Sequence, residues 1–547
     1  MVNFKLVTLA VAILIGTTQS APTTPLVDLD NGRFQGYSQG DLDYFLAIPY
    51  AASTAGSNRF RRPQPPLKVQ GVRNATTPGL TCPTTTTLGN SSQTSEDCLY
   101  VNVYKPSGVK AGDNLPVMVH FKKAPPIRPI QTALPSSALP ITASFMSRST
   151  TAKYNSPPQN SSFYSIQVSA LGFLASQELQ EADGLNLGLW DQLYALEWVC
   201  ANIRKFGGDP KKVTIFGESV GGISVAMHLL KQDDKRQLFR GAIIESGSPT
   251  SGTYPMYSYY QNVYNDYVAE FGCHTAANTL DCLRKVPLND FMQFTANYTS
   301  SYVGGLLAFT PVSGDDFLPK EPSQLVKEGH ISKVPLIIGT NTDEGTIFVL
   351  QNLTTNKDYS DYFRYIYKSI KDSSLDTIQN LYQDPSVSGS PYSNSPFSTQ
   401  FLRAAATFGY EPTITYQAQI FARAYAPFRL VYKYHFDQVF PGIPSWMGVP
   451  HTSEIPFVFN LPGTFTAPSD LLVAETMQAY WVSFVRTLNP NILRKAGTPV
   501  WEKYMGTVGT EKQMHIKYNQ TAMEVDNLNG INERCAFWDA IRKELNH

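Results

Sequence analysis

Short, almost uniformly apolar runs alternate with longer stretches of helical periodicity along most of the chain. Leu115 to His120, Val213 to Phe216, Gly241 to Ile244, Val334 to Ile338 and Leu430 to Phe436 each read as a buried strand. A strand apolar on both sides suits the middle of a parallel sheet with helices over each face. Val220 to Leu230 follows the second run at once and reads as a helix, as does Leu193 to Cys200. The pattern predicts an α/β fold with a central, mostly parallel sheet flanked by helices. In such sheets functional side chains gather at the carboxyl ends of the strands.

No internal repeat or long linker divides the chain, so one domain is expected from Ala21 to His547. Residues 1–20 read as a removable secretory signal: Lys5 gives a positive start, Leu6 to Gly16 is apolar, and small residues surround Ser20 and Ala21. Eleven apolar residues are too few for a membrane span, which needs about 20. A secreted protein without stable membrane insertion is expected.

Lys plus Arg and Asp plus Glu balance at 44 each. Bulk charge therefore recruits neither nucleic acid nor an anionic surface. Asn-x-Ser/Thr sequons at Asn74, Asn90, Asn160, Asn297, Asn352 and Asn519 are candidate glycosylation sites on an exported chain. Of six cysteines, Cys82 and Cys98 bracket one loop and Cys273 and Cys282 another, both open to local pairing. Cys200 lies in an apolar helical run and reads as a buried thiol, while no spacing assigns Cys535 to a disulfide.

Gly217-Glu218-Ser219-Val220-Gly221 sits between a predicted strand and a predicted helix. A serine in a G-x-S-x-G pentapeptide at that junction occupies a tight turn that exposes its hydroxyl, so its flanks must be nearly bare. The Val220 N–H at the helix start is then placed to donate to a developing oxyanion. Serine needs a base, and the base an orienting acid. Downstream, Asp343 and Glu344 follow the fourth strand run, and His451 follows the fifth by one loop. That chain order, serine then acid then histidine, is the one expected of this architecture. His435 falls within a strand, and His228, His274, His330 and His515 on helix faces or loops. No zinc motif, phosphate loop or dinucleotide fingerprint is present, and no metal or organic cofactor is expected.

These residues resemble the type-B carboxylesterase/lipase family, an α/β-hydrolase family that includes fungal lipases and cholinesterases. The likeness runs through Ser95-Glu-Asp-Cys98-Leu-Tyr-Val-Asn-Val, Phe206 to Gly222, Glu245-Ser-Gly-Ser248-Pro, Asn341-Thr-Asp-Glu344-Gly and His451-Thr-Ser-Glu454-Ile-Pro-Phe. It implies Ser219 as nucleophile, His451 as base and Glu344, rather than Asp343, as orienting acid. Ser246 and Glu454 match positions near the histidine. The resemblance also implies disulfides Cys82–Cys98 and Cys273–Cys282, and an ion pair between Arg59 and Glu96. The substrate expected is a small-molecule or lipid ester. Pro83 to Asp97 is short, polar and free of aromatics, where family lipases carry a long amphipathic lid, so short soluble esters are favoured.

One segment departs from this pattern. From Phe121 to Ala170 there is no Asp or Glu, and from Gly112 to Gly172 no intervening glycine. Lys122 and Lys123 stand about where the family has the histidine and first glycine of an oxyanion loop, and the family arginine that pairs with the position of Asp209 is missing. Two readings follow for about 121–167. Either this is a misread stretch of an otherwise intact enzyme, or it is genuine and the protein is an impaired hydrolase or a binding or adhesion protein.

Overall fold

The computed structural model describes residues 24–545 except 85–93, 122–141, 146–168, 232–236, 253, 302–308, 368, 410–413, 461–463, 508–509 and 527–530; for 142–145, 300–301 and 531–533 it describes the backbone alone. The chain begins with β1 (Leu26–Leu29), β2 (Gly32–Gln35), β3 (Tyr37–Gln39), β4 (Leu42–Pro49) and β5 (Val72–Asn74). It continues with β6 (Tyr100–Pro106), β7 (Leu115–Phe121), β8 (Thr142–Phe145), β9 (Gly208–Glu218) and β10 (Gly241–Glu245). The last four strands are β11 (Leu336–Asn341), β12 (Val431–Phe436), β13 (Lys512–Ile516) and β14 (Ala522–Val525). Eleven of these form one sheet in the order β14-β13-β12-β11-β10-β9-β7-β8-β6-β4-β3, and β1, β2 and β5 form a small second sheet.

All five expected runs are neighbours or near neighbours in that sheet, and from β7 through β9, β10, β11 and β12 to β13 every pairing is parallel. Their side chains alternate between two cores. Val213, Ile215, Ala242, Ile244, Leu336 and Ile338 face one, and Phe216, Ile243 and Ile337 face the other. The first core is closed by α1 (Leu187–Asn202), α2 (Val220–Leu230) and α3 (Thr415–Tyr425) through Leu196, Val225 and Phe421. The second is closed by α4 (Pro468–Thr487) through Met477, Trp481 and Phe484. Each such side chain, fully buried, contributes about 1.5–3 kcal/mol. The layout is that of an α/β-hydrolase.

Details differ from expectation where local chemistry decides. The fourth run starts as a strand only at Leu336, because Pro335 has no N–H for a ladder; the Val334 N–H instead donates to the Tyr425 hydroxyl at 3.1 Å. His515 was expected on a helix face or loop but lies in β13, directly opposite His435 of β12. Asp209 does have an ion pair, with Lys212 Nζ at 3.1 Å, in place of the missing arginine. Cys200 is half-buried rather than buried, and burial pushes its thiol up to about 11.

Both disulfides implied by the resemblance are present, Cys82–Cys98 and Cys273–Cys282. Arg59 grips Glu96 with both arms, Nε to Oε1 at 2.7 Å and Nη2 to Oε2 at 2.8 Å. Its Nη1 donates to the carbonyls of Leu283 and Val286, tying the bases of the two disulfide loops together. Asn74, Asn297, Asn352 and Asn519 are exposed; Asn90 and Asn160 lie outside the described residues, as do the expected signal segment and Lys122 and Lys123. Among the described residues no helix is long and apolar enough to cross a membrane.

Candidate active site

β9 ends at Glu218, and the chain turns at Ser219 with φ 58° and ψ −125° before α2 begins at Val220. A residue with a Cβ held at positive φ costs about 1–3 kcal/mol, so its surroundings must impose it. They do so through close packing. The Ser219 N–H donates to the Glu245 carbonyl at 2.9 Å, linking the turn to the end of β10. A Cβ on Gly217 would lie 2.5 Å from the Gly221 carbonyl carbon and 2.6 Å from the Phe121 oxygen. The same need falls on two glycines outside the pentapeptide: a Cβ on Gly222 would meet the Glu245 oxygen at 2.8 Å, and one on Gly247 the Ser219 oxygen at 2.9 Å. Val220, as first residue of α2, has an N–H with no acceptor inside its own helix.

Glu344 opens a 3₁₀ turn (Glu344–Ile347) just beyond β11, and its carboxylate is fully buried. Oε1 accepts from the Ser246 hydroxyl at 2.6 Å and from the Asn341 N–H at 2.7 Å. Oε2 lies 2.5 Å from His451 Nδ1. An ionised carboxylate can only accept, so it fixes an imidazole proton on Nδ1. Nε2 stands 3.1 Å from Glu218 Oε1, the side chain immediately before Ser219. The Nε2 edge of His451 thus lies beside the residue that precedes Ser219, with Phe348 packed against the ring at 5.1 Å between centroids.

The loop bearing His451 is held by the neighbours of Glu344. Asp343 and Val449 exchange two backbone-directed bonds: the Asp343 N–H donates to the Val449 carbonyl, and the Val449 N–H to Asp343 Oδ2, each at 2.9 Å. Gly448 has φ 64°, and a Cβ there would strike Asp343 Oδ2. Asn341 Nδ2 donates to the Pro450 carbonyl at 3.0 Å and to Glu454 Oε2 at 2.6 Å. Of the two adjacent carboxylates, Glu344 orients the histidine and Asp343 braces its loop. Ser246 sits on Glu344 rather than on the histidine, and Glu454 joins the network through Asn341.

Two further acids escaped the sequence reading. Glu218 occupied a position of the pentapeptide that carries no constraint, and Glu245 is the last residue of an apolar strand; only an acid inside an apolar run hinted at either. Glu218, Glu245, Glu344 and Glu454 are all buried. Burial, then the Glu218 charge, raises Glu245 to about 8, against the Trp481 indole N–H that donates to it at 2.6 Å. Burial and the Glu218 and Glu245 charges hold Glu454 well above the usual carboxylate range. Burial thus disfavours the charged form of both Glu245 and Glu454.

The family model described as the carboxylesterase family matches residues 23–122 and 166–538. The chain belongs to the carboxylesterase family. It is 32% identical over 515 residues to "Secreted lipase 1" of Botryotinia fuckeliana, spanning 86% of this chain and 85% of that protein. It is 32% identical over 534 residues to "Lipase 4" of Diutina rugosa, spanning 90% and 91%. The crystal structure of EstA from Aspergillus niger superposes with a TM-score of 0.79 at 28% identity, covering 96% of this chain and 99% of that one. Membership places this carboxylesterase-family chain among carboxylic ester hydrolases. The match stops at 122 and resumes at 166, so the family pattern lapses over the same stretch that lacks glycine and acidic residues.

Proposed function

We propose that the protein is a secreted carboxylic-ester hydrolase working through Ser219, His451 and Glu344. The observation that carries this reading is the 2.5 Å contact between Glu344 and His451 Nδ1, with Nε2 turned to the strained turn at Ser219. Ser219 Oγ attacks the ester carbonyl carbon while His451 Nε2 takes its proton. The imidazolium, stabilised by Glu344, returns that proton to the departing alcohol. Water then attacks the acyl-enzyme with His451 again as base, releasing the acid and restoring the serine. The Val220 N–H donates to the oxyanion in both steps. Acyl transfer of this kind runs on side chains and backbone alone and needs no metal or organic cofactor.

Names of relatives such as "Secreted lipase 1" support export and an ester substrate. The short, polar segment Pro83 to Asp97 favours soluble esters of short acids over long-chain lipids. A butyrate p-nitrophenyl ester should therefore exceed a palmitate one in kcat/KM; the reverse order would assign a lipid substrate.

The lapse of the family match between 122 and 166 favours a second reading, in which the oxyanion donors of that loop are lost. One missing donor costs about 10²–10³ in kcat. Labelling by a fluorophosphonate on Ser219, absent in Ser219→Ala, supports the enzyme. Well-folded protein that takes no label supports a binding protein. Sequencing the transcript across 121–167 decides whether the stretch is native.

A further inference from the structure

A second histidine cluster lies at the edge of the large sheet, apart from the machinery above. His435 of β12 and His515 of β13 are register partners, and their rings stack at 5.3 Å with 22° between planes. Glu524 comes from β14, the next strand. All three are largely covered, with 12%, 16% and 22% of their side-chain surface exposed.

The hydrogen bonds fix where the protons are. Asp437 Oδ2 accepts from Lys517 Nζ at 2.7 Å and faces His515 Nε2 at 3.2 Å. An ionised carboxylate only accepts, so Nε2 of His515 carries a hydrogen. The Thr342 hydroxyl donates to Asp437 Oδ1 at 2.8 Å, so it accepts from His435 Nε2 at 2.9 Å, which also carries a hydrogen. Both Nδ1 atoms face Glu524: His435 Nδ1 is 2.9 Å from Oε1 and His515 Nδ1 4.0 Å from Oε2, so in the metal-free protein a hydrogen lies between His435 Nδ1 and Oε1, which an arriving divalent ion would displace. Gln513 Nε2 donates to Oε1 at 2.9 Å and supplies the one neutral donor there. Three atoms able to ligate a metal, all within 4.8 Å of one another, converge here.

We propose that His435 Nδ1, His515 Nδ1 and a Glu524 carboxylate oxygen form a binding site for a divalent transition metal of the zinc class. Two imidazoles and one carboxylate are a borderline-soft set suited to such ions. Ligands about 2.0–2.1 Å from a tetrahedral zinc lie roughly 3.3 Å apart, between the two donor separations given above. The remaining nitrogen of each ring is held by Asp437 or Thr342, as in carboxylate–histidine–metal arrangements, which sets the tautomer before the ion arrives. The Lys517 charge lies beyond Asp437, which neutralises it. An ion here would clamp β12, β13 and β14 together. The site owes nothing to the esterase reading and stands or falls separately.

The test is equilibrium dialysis of the full chain against Zn²⁺, with Co²⁺ absorption as a second readout. Wild type is expected to hold one equivalent at micromolar concentration and to give visible cobalt bands of a nitrogen-ligated, low-coordinate ion. Tm should rise by about 2–4 °C at a hundredfold excess over Kd. Glu524→Gln and His515→Gln should each weaken binding at least tenfold; Glu524→Gln should keep its far-UV spectrum and ester hydrolysis. Wild type that retains no zinc, or binding equal in wild type and both folded variants, would overturn the proposal.

Discussion

His451 and the pair His435–His515 are the same side chain anchored through opposite ring nitrogens. At the buried turn, Glu344 takes the Nδ1 hydrogen and Nε2 stands 3.1 Å from Glu218, the neighbour of Ser219. At the sheet edge, Asp437 and Thr342 take the Nε2 hydrogens and leave both Nδ1 atoms facing Glu524. The first arrangement suits the proton transfer proposed above, because the ring is anchored through Nδ1 with Nε2 beside the turn of Ser219. The second suits a shared cation, because two ring nitrogens and a carboxylate converge within 4.8 Å. Which nitrogen a neighbour engages therefore decides what an imidazole does, and residue type alone does not.

Substitutions at each end of this contrast have graded effects. The largest is expected at Ser219→Ala, which should lower kcat by about 10⁶ with an unchanged circular dichroism spectrum. Glu344→Gln should follow, with a loss of about 10⁴, because an amide can donate to Nδ1 and so favour the wrong tautomer. Glu524→Gln, the matching change at the edge cluster, should leave steady-state turnover within twofold; a loss comparable to Glu344→Gln would merge the two clusters into one machine. Ser246→Ala removes a hydrogen bond to a buried carboxylate worth about 1.5–3 kcal/mol, and a drop in kcat of roughly tenfold to a hundredfold is expected by steady-state assay.

A third histidine supplies the control. His228 in α2 is fully buried, its Nε2 lies 3.0 Å from the Gln192 amide oxygen, and burial lowers it to about 3. Unfolded histidine takes a proton near pH 6.5, while this one resists until about 3. Between those values the unfolded state binds more protons, so stability falls as pH drops through that window and is fully present above it. His228→Asn should flatten this part of the denaturant midpoint against pH; an unchanged slope would place the sensitivity elsewhere.

Much of this was legible in the residues. The apolar runs placed β7, β10 and β12 to within a residue and caught the middle of β9, which starts five residues earlier at Gly208; strand ends pointed to Ser219, the pair Asp343–Glu344 and His451, and the family resemblance chose Glu344. What failed to show depended on contacts far apart in sequence. That Asp343 turns back to Val449 while its neighbour reaches His451 is set by a loop over a hundred residues on. His515 sits in the five-residue strand Lys512–Ile516, and only pairing with β12 and β14 makes it a strand. Glu218 and Glu245 were hidden because a buried acid leaves no periodic signature. Over 123–165 the family pattern itself is missing.

The proton positions are the most direct test. Long-range nitrogen–proton correlation on ¹⁵N-histidine-labelled, metal-free protein at neutral pH distinguishes the two tautomers of each ring. His451 should carry its hydrogen on Nδ1, shifted far downfield by Glu344, and His435 and His515 should carry theirs on Nε2. A neutral His451 with its hydrogen on Nε2 would contradict the account, because no base would then face Ser219.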